Sequence, residues 1–168
     1  KIKCIILKHD NIRERMTYAE ELQFLGEHER RNEFLAGLLM HLPGNTLCLY
    51  QLVEKHGKPL YEAAKKSQKE GFFDDKLRKI FFIYGNTSTT EREDIRSIVE
   101  NETNSITIAS YGTFSTGINI RNIHNIVLAS PSKSRIRVLQ SIGRGLRQGE
   151  NKDSVLIFDI ADDMTFRN

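Results

Sequence analysis

Arginines spaced along one side of a helix are the chemically most suggestive feature of the sequence. In the stretch from Ser134 to Arg147, the residues Arg137, Gln140, Arg144 and Arg147 stand at i, i+3, i+7 and i+10. Helical geometry puts them on one face. Val138, Leu139, Ile142 and Leu146 fall on another face and read as the stripe that anchors the helix. Guanidinium groups suit phosphate oxygens, because the planar fork makes paired, charge-assisted hydrogen bonds. Gly143 and Gly145 interrupt the same helix, and each costs about 1 kcal/mol relative to alanine. They are therefore expected where another backbone or a ligand comes close. The plain alternative is a basic, solvated face whose glycines mark a fraying helix end.

A second group is built from short hydroxyl side chains. Ser110, Thr113, Ser115 and Thr116 follow the apolar run Ile106–Ala109 and lead into Gly117-Ile-Asn119. Ligands of open α/β sheets bind outside the carboxyl ends of the strands, and hydroxyls and backbone N–H groups there can bond phosphate oxygens. An ordinary polar loop would have the same composition.

Both groups need a scaffold, and the apolar patterning supplies one. Five short runs, Thr46–Tyr50, Ile80–Tyr84, Ile106–Ala109, Ile126–Ala129 and Val155–Ile160, read as strands buried on both faces. Helical patterns lie between them. Tyr61–Lys66 is one. Another is the stripe Ile95, Ile98 and Val99, preceded by Ser88 and Thr90 with Glu91 and Glu93 three residues on, as capping boxes require. Alternating β and α elements imply a parallel sheet with right-handed crossovers. Upstream, Ile2–Leu7 reads as an extra strand. Ile12–Leu25 and His28–Leu42 read as helices, with Asn11 as the N-cap of the first and Pro43-Gly44 ending the second. Gly71–Lys79 reads as a charged surface loop. Two parts are expected: a lead-in of one strand and two helices over 1–44, and an α/β domain over 45–168.

Composition narrows the classes. A chain of 168 residues that is 39% hydrophobic can build one sizeable core. No run approaches the roughly 18 apolar residues of a membrane helix, so no membrane partner is expected, and no signal peptide opens the chain. The start at Lys1 reads as the edge of a trimmed or longer protein. Cys4 and Cys48 both lie in apolar runs and read as buried, reduced thiols of a cytoplasmic protein. The histidines show no metal-ligand spacing. Asp162-Asp163 reads as a solvated chain end, and Phe81-Phe82 as core or loop anchors. A net charge of +3 permits nucleic-acid binding without arguing for it. The sequence has no Gly-x-x-x-x-Gly-Lys-Ser/Thr phosphate loop and no Asp-Glu-x-His box. Gly57-Lys58 lacks the spacing of such a loop.

The run Gln140-Ser-Ile-Gly143-Arg144-Gly-Leu-Arg147 resembles motif VI of superfamily 2 helicases, Gln-x-x-Gly-Arg-x-x-Arg, at all four positions. Ile108 to Ile120 resembles motif V, with Asn119 where many relatives carry Asp. Asn45-Thr-Leu-Cys-Leu-Tyr-Gln51 resembles motif IV, and Tyr84-Gly85 to Arg92 resembles the Gly…Arg segment that follows it. The resemblance spans Thr46 to Asp159 and looks closest to phage recombination-repair helicases that act on branched DNA. It implies a RecA-like, P-loop-NTPase-type three-layer fold: the second helicase lobe, without a phosphate loop of its own. It further implies ATP and Mg²⁺ held mainly by a first, N-terminal RecA-like lobe, with Arg144 and Arg147 reaching the ATP phosphates. Gln140, Gly143, Gly117 and Asn119 would serve the nucleotide. Ser110, Thr113, Gly85 and Arg92 would hold the backbone of branched or duplex DNA, with RNA left open. The rival readings are a double-strand translocase of the remodelling or restriction type and a catalytically silent nucleic-acid-binding module.

Overall fold

The computed structural model describes residues 1–9, 15–71, 77–117, 119–134 and 154–164, together with positions 138, 140, 142 and 143. Six strands form one sheet: β1 (Ile2–Lys8), β2 (Thr46–Tyr50), β3 (Ile80–Ile83), β4 (Ile106–Ser110), β5 (Asn125–Leu128) and β6 (Leu156–Asp163). Their order is β1-β6-β5-β2-β4-β3, and every pairing is parallel. All six carboxyl ends therefore open on the same edge. Five described helices complete the fold: α1 (Tyr18–Glu27), α2 (Glu29–His41), α3 (Lys58–Glu70), α4 (Thr89–Asn101) and α5 (Tyr111–Gly117). This is the expected RecA-like three-layer arrangement.

The strand reading holds best at the centre. β2, β4 and β5 are buried along their whole length, as strands covered on both faces must be. β1 and β3 are the edges. On β1, Ile2 and Ile6 are 68% and 64% exposed, and Cys4, which shares their side, is exposed too. Its expected burial fails because an apolar run on an edge strand has one side with nothing against it. Cys48, at the centre of β2, is buried, and burial pushes its thiol up to about 12, which leaves it unreactive.

Period-two alternation sends the central strands to two cores. Cys48, Tyr50, Ile106, Ile108 and Val127 meet Leu35 and Leu39 of α2 and Leu60 and Ala64 of α3. Leu47, Leu49, Ala109, Ile126 and Leu128 meet Ile95 and Val99 of α4, Phe114 of α5, and Ile120 and Ile123. Residues before position 45 take part in the same packing: β1 pairs with β6, and α2 covers the sheet.

Three local expectations need correction. α1 begins at Tyr18 and Arg15–Thr17 are not helical, so the expected helix does not run on from Ile12; Asn11 lies outside the described residues. The cap is Thr17, in a reciprocal box with Glu20. Ser88 caps α4 by accepting from the Glu91 N–H, and Thr90 lies within the helix. In the expected surface loop 71–79, Arg78 is half-buried. Its guanidinium donates to the Leu39 and Leu42 carbonyls at 2.7 and 2.9 Å, satisfying the open end of α2.

Candidate nucleic-acid interface

The carboxyl edge of the sheet places the predicted residues. β2 ends into Gln51, β3 into Tyr84 and Gly85, and β4 into Ser110, so three adjacent strands deliver their ends side by side. α5 starts directly after β4. Ser110 Oγ accepts from the Thr113 N–H at 3.2 Å and lies 2.7 Å from Thr113 Oγ1, so the expected loop is a short capped helix. Arg92 projects from α4 and donates through Nη2 to the carbonyls of Gly85 and Tyr84, at 2.7 and 3.2 Å. An open cleft of about 490 Å³ results, lined by Gln51, Val53, Gly85, Arg92, Ser110, Gly112 and Thr113. Ser110, Thr113, Gly85 and Arg92, singled out separately in the sequence, thus meet in one place.

Two polar atoms of this cleft stand out. Arg92 Nε and Gln51 Oε1 are buried and lack hydrogen-bond partners among the described residues. A donor and an acceptor left unmatched at the end of parallel strands are the groups a ligand would satisfy. Cβ atoms added to Gly85 or Gly112 would meet nothing within 4 Å among the described residues, so there is open space beside the backbone at both. Gln51 received no role from the sequence. Its place one residue past β2 is the signal that could have found it.

Behind the cleft lies a polar cluster of the opposite character. The wide π-type turn Val53–Gly57 carries His56 inward, with the His56 and Gly57 N–H groups both bonded to the Leu52 carbonyl. His56 Nδ1 lies 2.7 Å from Ser130 Oγ, which also accepts from the Gln51 N–H at 3.1 Å. On its other side His56 Nε2 faces Arg31 Nη1 at 3.5 Å. Arg31, 2% exposed, donates through Nε and Nη2 to the two oxygens of Asp162, both at 2.8 Å, and through Nη2 to the Ala129 carbonyl at 2.7 Å. His9 Nε2 lies 2.7 Å from the same carboxylate. Asp162 is therefore buried and paired, and the expected solvated chain end is wrong for it. Burial holds the His56 imidazole down to about 3; the Arg31 charge pushes the same way, and Asp162 opposes it.

The arginine helix is described at four positions. Val138 and Ile142 pack against the core on the α4 and α5 face, as the anchoring stripe requires. Gln140 and Gly143 are exposed. A Cβ added at Gly143 would meet nothing within 4 Å among the described residues. Arg144, Arg147, Gly145 and Leu146 lie outside the described residues. Gly117 closes α5, which starts at the cleft, and Asn119 is half-buried just beyond it. Among the described residues no group of three His, Cys, Asp or Glu could hold a metal, and no helix is long and apolar enough to cross a membrane. The donors at hand are guanidinium, amide and hydroxyl groups, which suit phosphate oxygens.

Comparison with known proteins agrees with this architecture. The ATP-dependent DNA helicase uvsW of Enterobacteria phage T4 is 34% identical over 149 residues, covering 87% of this chain and 28% of that protein. The crystal structure of T4 UvsW superposes with a TM-score of 0.75 at 32% identity, over 98% of this chain and 33% of that one. The C-terminal part of the Fun30 ATPase domain shares the fold, with a TM-score of 0.61 at 17% identity over 79% of this chain and 40% of that one. The chain thus spans about a third or less of the phage relative's length. Residues 32–149 match the family described as helicase conserved C-terminal domain, and the chain belongs to that family as the second RecA-like lobe of a superfamily 2 helicase.

Proposed function

We propose that this chain is the second motor lobe of an ATP-dependent DNA helicase or translocase of recombination and repair, working in the cytoplasm, the host's if the protein is phage-encoded. The observation that carries this reading is the convergence of Ser110, Thr113, Gly85 and Arg92 on one cleft at the carboxyl edge of the sheet. Residues 1–44 serve as the lead-in from the first lobe. ATP and Mg²⁺ sit between the lobes and are held mainly by the first. Arg144 and Arg147 offset the charge that develops on the transferred phosphoryl group. Gln140 and Gly143 face the nucleotide. Gly117 and Asn119, at the far end of α5 from Ser110, link the nucleotide to the cleft that grips the DNA backbone. Closure on ATP and opening on release then move the grip along the strand.

The test uses the full two-lobe protein with Arg144→Ala and Arg147→Ala. Arginine fingers contribute about 10³- to 10⁵-fold in rate, or about 4 to 7 kcal/mol of barrier. Each variant should nearly abolish DNA-stimulated ATP hydrolysis while its melting temperature stays close to wild type. Turnover within a few-fold of wild type in both variants would overturn the assignment. The 168-residue chain alone should release no phosphate from ATP with or without DNA, because its sequence has no phosphate loop.

A further inference from the structure

On the sheet face opposite the arginine helix, α2 and α3 leave a groove of about 780 Å³ between them. Its charge runs against that of the chain. Five glutamates line it, Glu27, Glu29, Glu33, Glu62 and Glu70, with Lys66 as the lone basic residue, in a protein of net charge +3. Glu27 is paired with Lys55, and Glu62 with Lys65. Glu29, Glu33 and Glu70 are exposed and have no partner among the described residues. Ala36 and Ala63, small and apolar, contribute to the lining between the carboxylates.

A second observation does not depend on the glutamates. Asn32 lines the groove and is only 4% exposed, yet its Oδ1 has no hydrogen-bond partner among the described residues. The orientation of the amide is settled, because Nδ2 donates to the Gly26 carbonyl at 2.8 Å and a flip would set oxygen against oxygen. The carbonyl end is thus a buried acceptor awaiting a donor.

We propose that this groove binds a basic polypeptide segment of a partner protein. The aliphatic stem of a lysine or arginine lies along the half-buried Ala63, and its cationic head donates to Asn32 Oδ1 between Glu29, Glu33 and Glu70. Nucleic acid and anionic lipid are repelled by the same carboxylates. The inference does not rest on the motor reading, since the groove and the arginine helix lie on opposite faces of the sheet.

The probe is a fluorescein-labelled octapeptide of alternating lysine and alanine, titrated by anisotropy into the full-length protein without DNA. Glu29→Gln/Glu33→Gln should weaken binding about fivefold to tenfold, because two charges are lost from the contact. Asn32→Leu should weaken it as well, with its fold checked by melting temperature. The control Glu91→Gln/Glu93→Gln, on the other face, should leave binding unchanged, and DNA-stimulated hydrolysis should be unaltered in the Glu29/Glu33 variant. Equal losses in the control would show general attraction to acidic surface and overturn the proposal. So would no binding, or groove variants that bind as wild type. A change of oligomeric state in the Glu29/Glu33 variant would assign the groove to a second copy of the chain and overturn it equally.

Discussion

The cleft at the ends of β2, β3 and β4 and the cluster behind it share one residue and little else. Gln51 donates its backbone N–H to Ser130 in the cluster, while its side-chain oxygen is left unmatched at the cleft. In the cluster, Asp162 accepts three hydrogen bonds, and the Arg31 guanidinium makes four contacts to three groups, the Asp162 carboxylate, His56 and the Ala129 carbonyl. At the cleft, Arg92 Nε and Gln51 Oε1 have no partner among the described residues, and the surface is open. Burying charge is costly unless every group is matched, so a complete network marks a structural joint. An incomplete one at a strand end marks a place where a ligand finishes the pairing. Perturbed titration alone would have misled, since the strongly shifted imidazole, His56, belongs to the joint.

The largest expected effect breaks the joint. Asp162→Ala leaves the Arg31 guanidinium buried without its counter-charge, and the loss in unfolding free energy should be about 3 to 5 kcal/mol. Urea denaturation measures it. A loss below about 1 kcal/mol, typical of surface positions, would mean that the cluster is solvated after all. Next comes the turn that separates the two regions. A Cβ at Gly57 would lie 2.4 Å from the Tyr50 ring, so Gly57→Ala should cost about 1 to 3 kcal/mol by overpacking. The cost should shrink in a Tyr50→Val background, and an equal cost in both would sink the steric explanation.

A smaller effect concerns pH. The His56 imidazole is held at about 3 in the fold, whereas an unfolded histidine titrates near about 6.5. Below the unfolded value only the unfolded chain takes up this proton, so the contribution is intact above it and is lost as pH falls from there toward 3. Melting temperatures between neutral and mildly acid pH should fall more steeply for wild type than for His56→Gln. Parallel curves would remove His56 from the account.

The smallest stability effect belongs to the open cleft. Arg92→Gln should change unfolding free energy by no more than about 0.5 kcal/mol. In the full-length protein without nucleotide it should weaken DNA binding similarly for all sequences. Wild-type DNA binding by this lobe, with few phosphate contacts, should show a log–log salt slope of roughly −2 to −3, and losing one contact should flatten it by about 1. A large stability loss with an unchanged slope would make Arg92 a second joint and end the contrast between the two regions.

Much of the architecture was legible because it is local. Continuous apolar runs become central strands wherever both faces are covered, and β2, β4 and β5 did so. Ser88 before α4 announces a helix start by its own hydrogen bond to Glu91. Ser110 and Thr113 could be picked out because strand ends carry ligands in parallel sheets, Gly85 and Arg92 because the segment from Tyr84 to Arg92 resembles a helicase motif, and all four line one cleft. Misreadings fell where a remote partner or an edge position decides. Cys4 has apolar residues near it in sequence, as Cys48 has, but it stands on the edge strand.

By itself the sequence determined the alternation of strands and helices, the order of the motif-like segments and the lack of a phosphate loop. These follow from periodicity, capping chemistry and residue identity, which act over a few neighbours. Tertiary structure alone decided that the Asp162 carboxylate is buried against Arg31, 131 positions away, that Arg78 closes α2, and that Asn32, in the lining of an acidic groove, keeps an unmatched oxygen. Whether a polar group is solvated, paired or left waiting depends on which distant groups the fold brings within hydrogen-bonding distance, and one-dimensional spacing does not contain that distance.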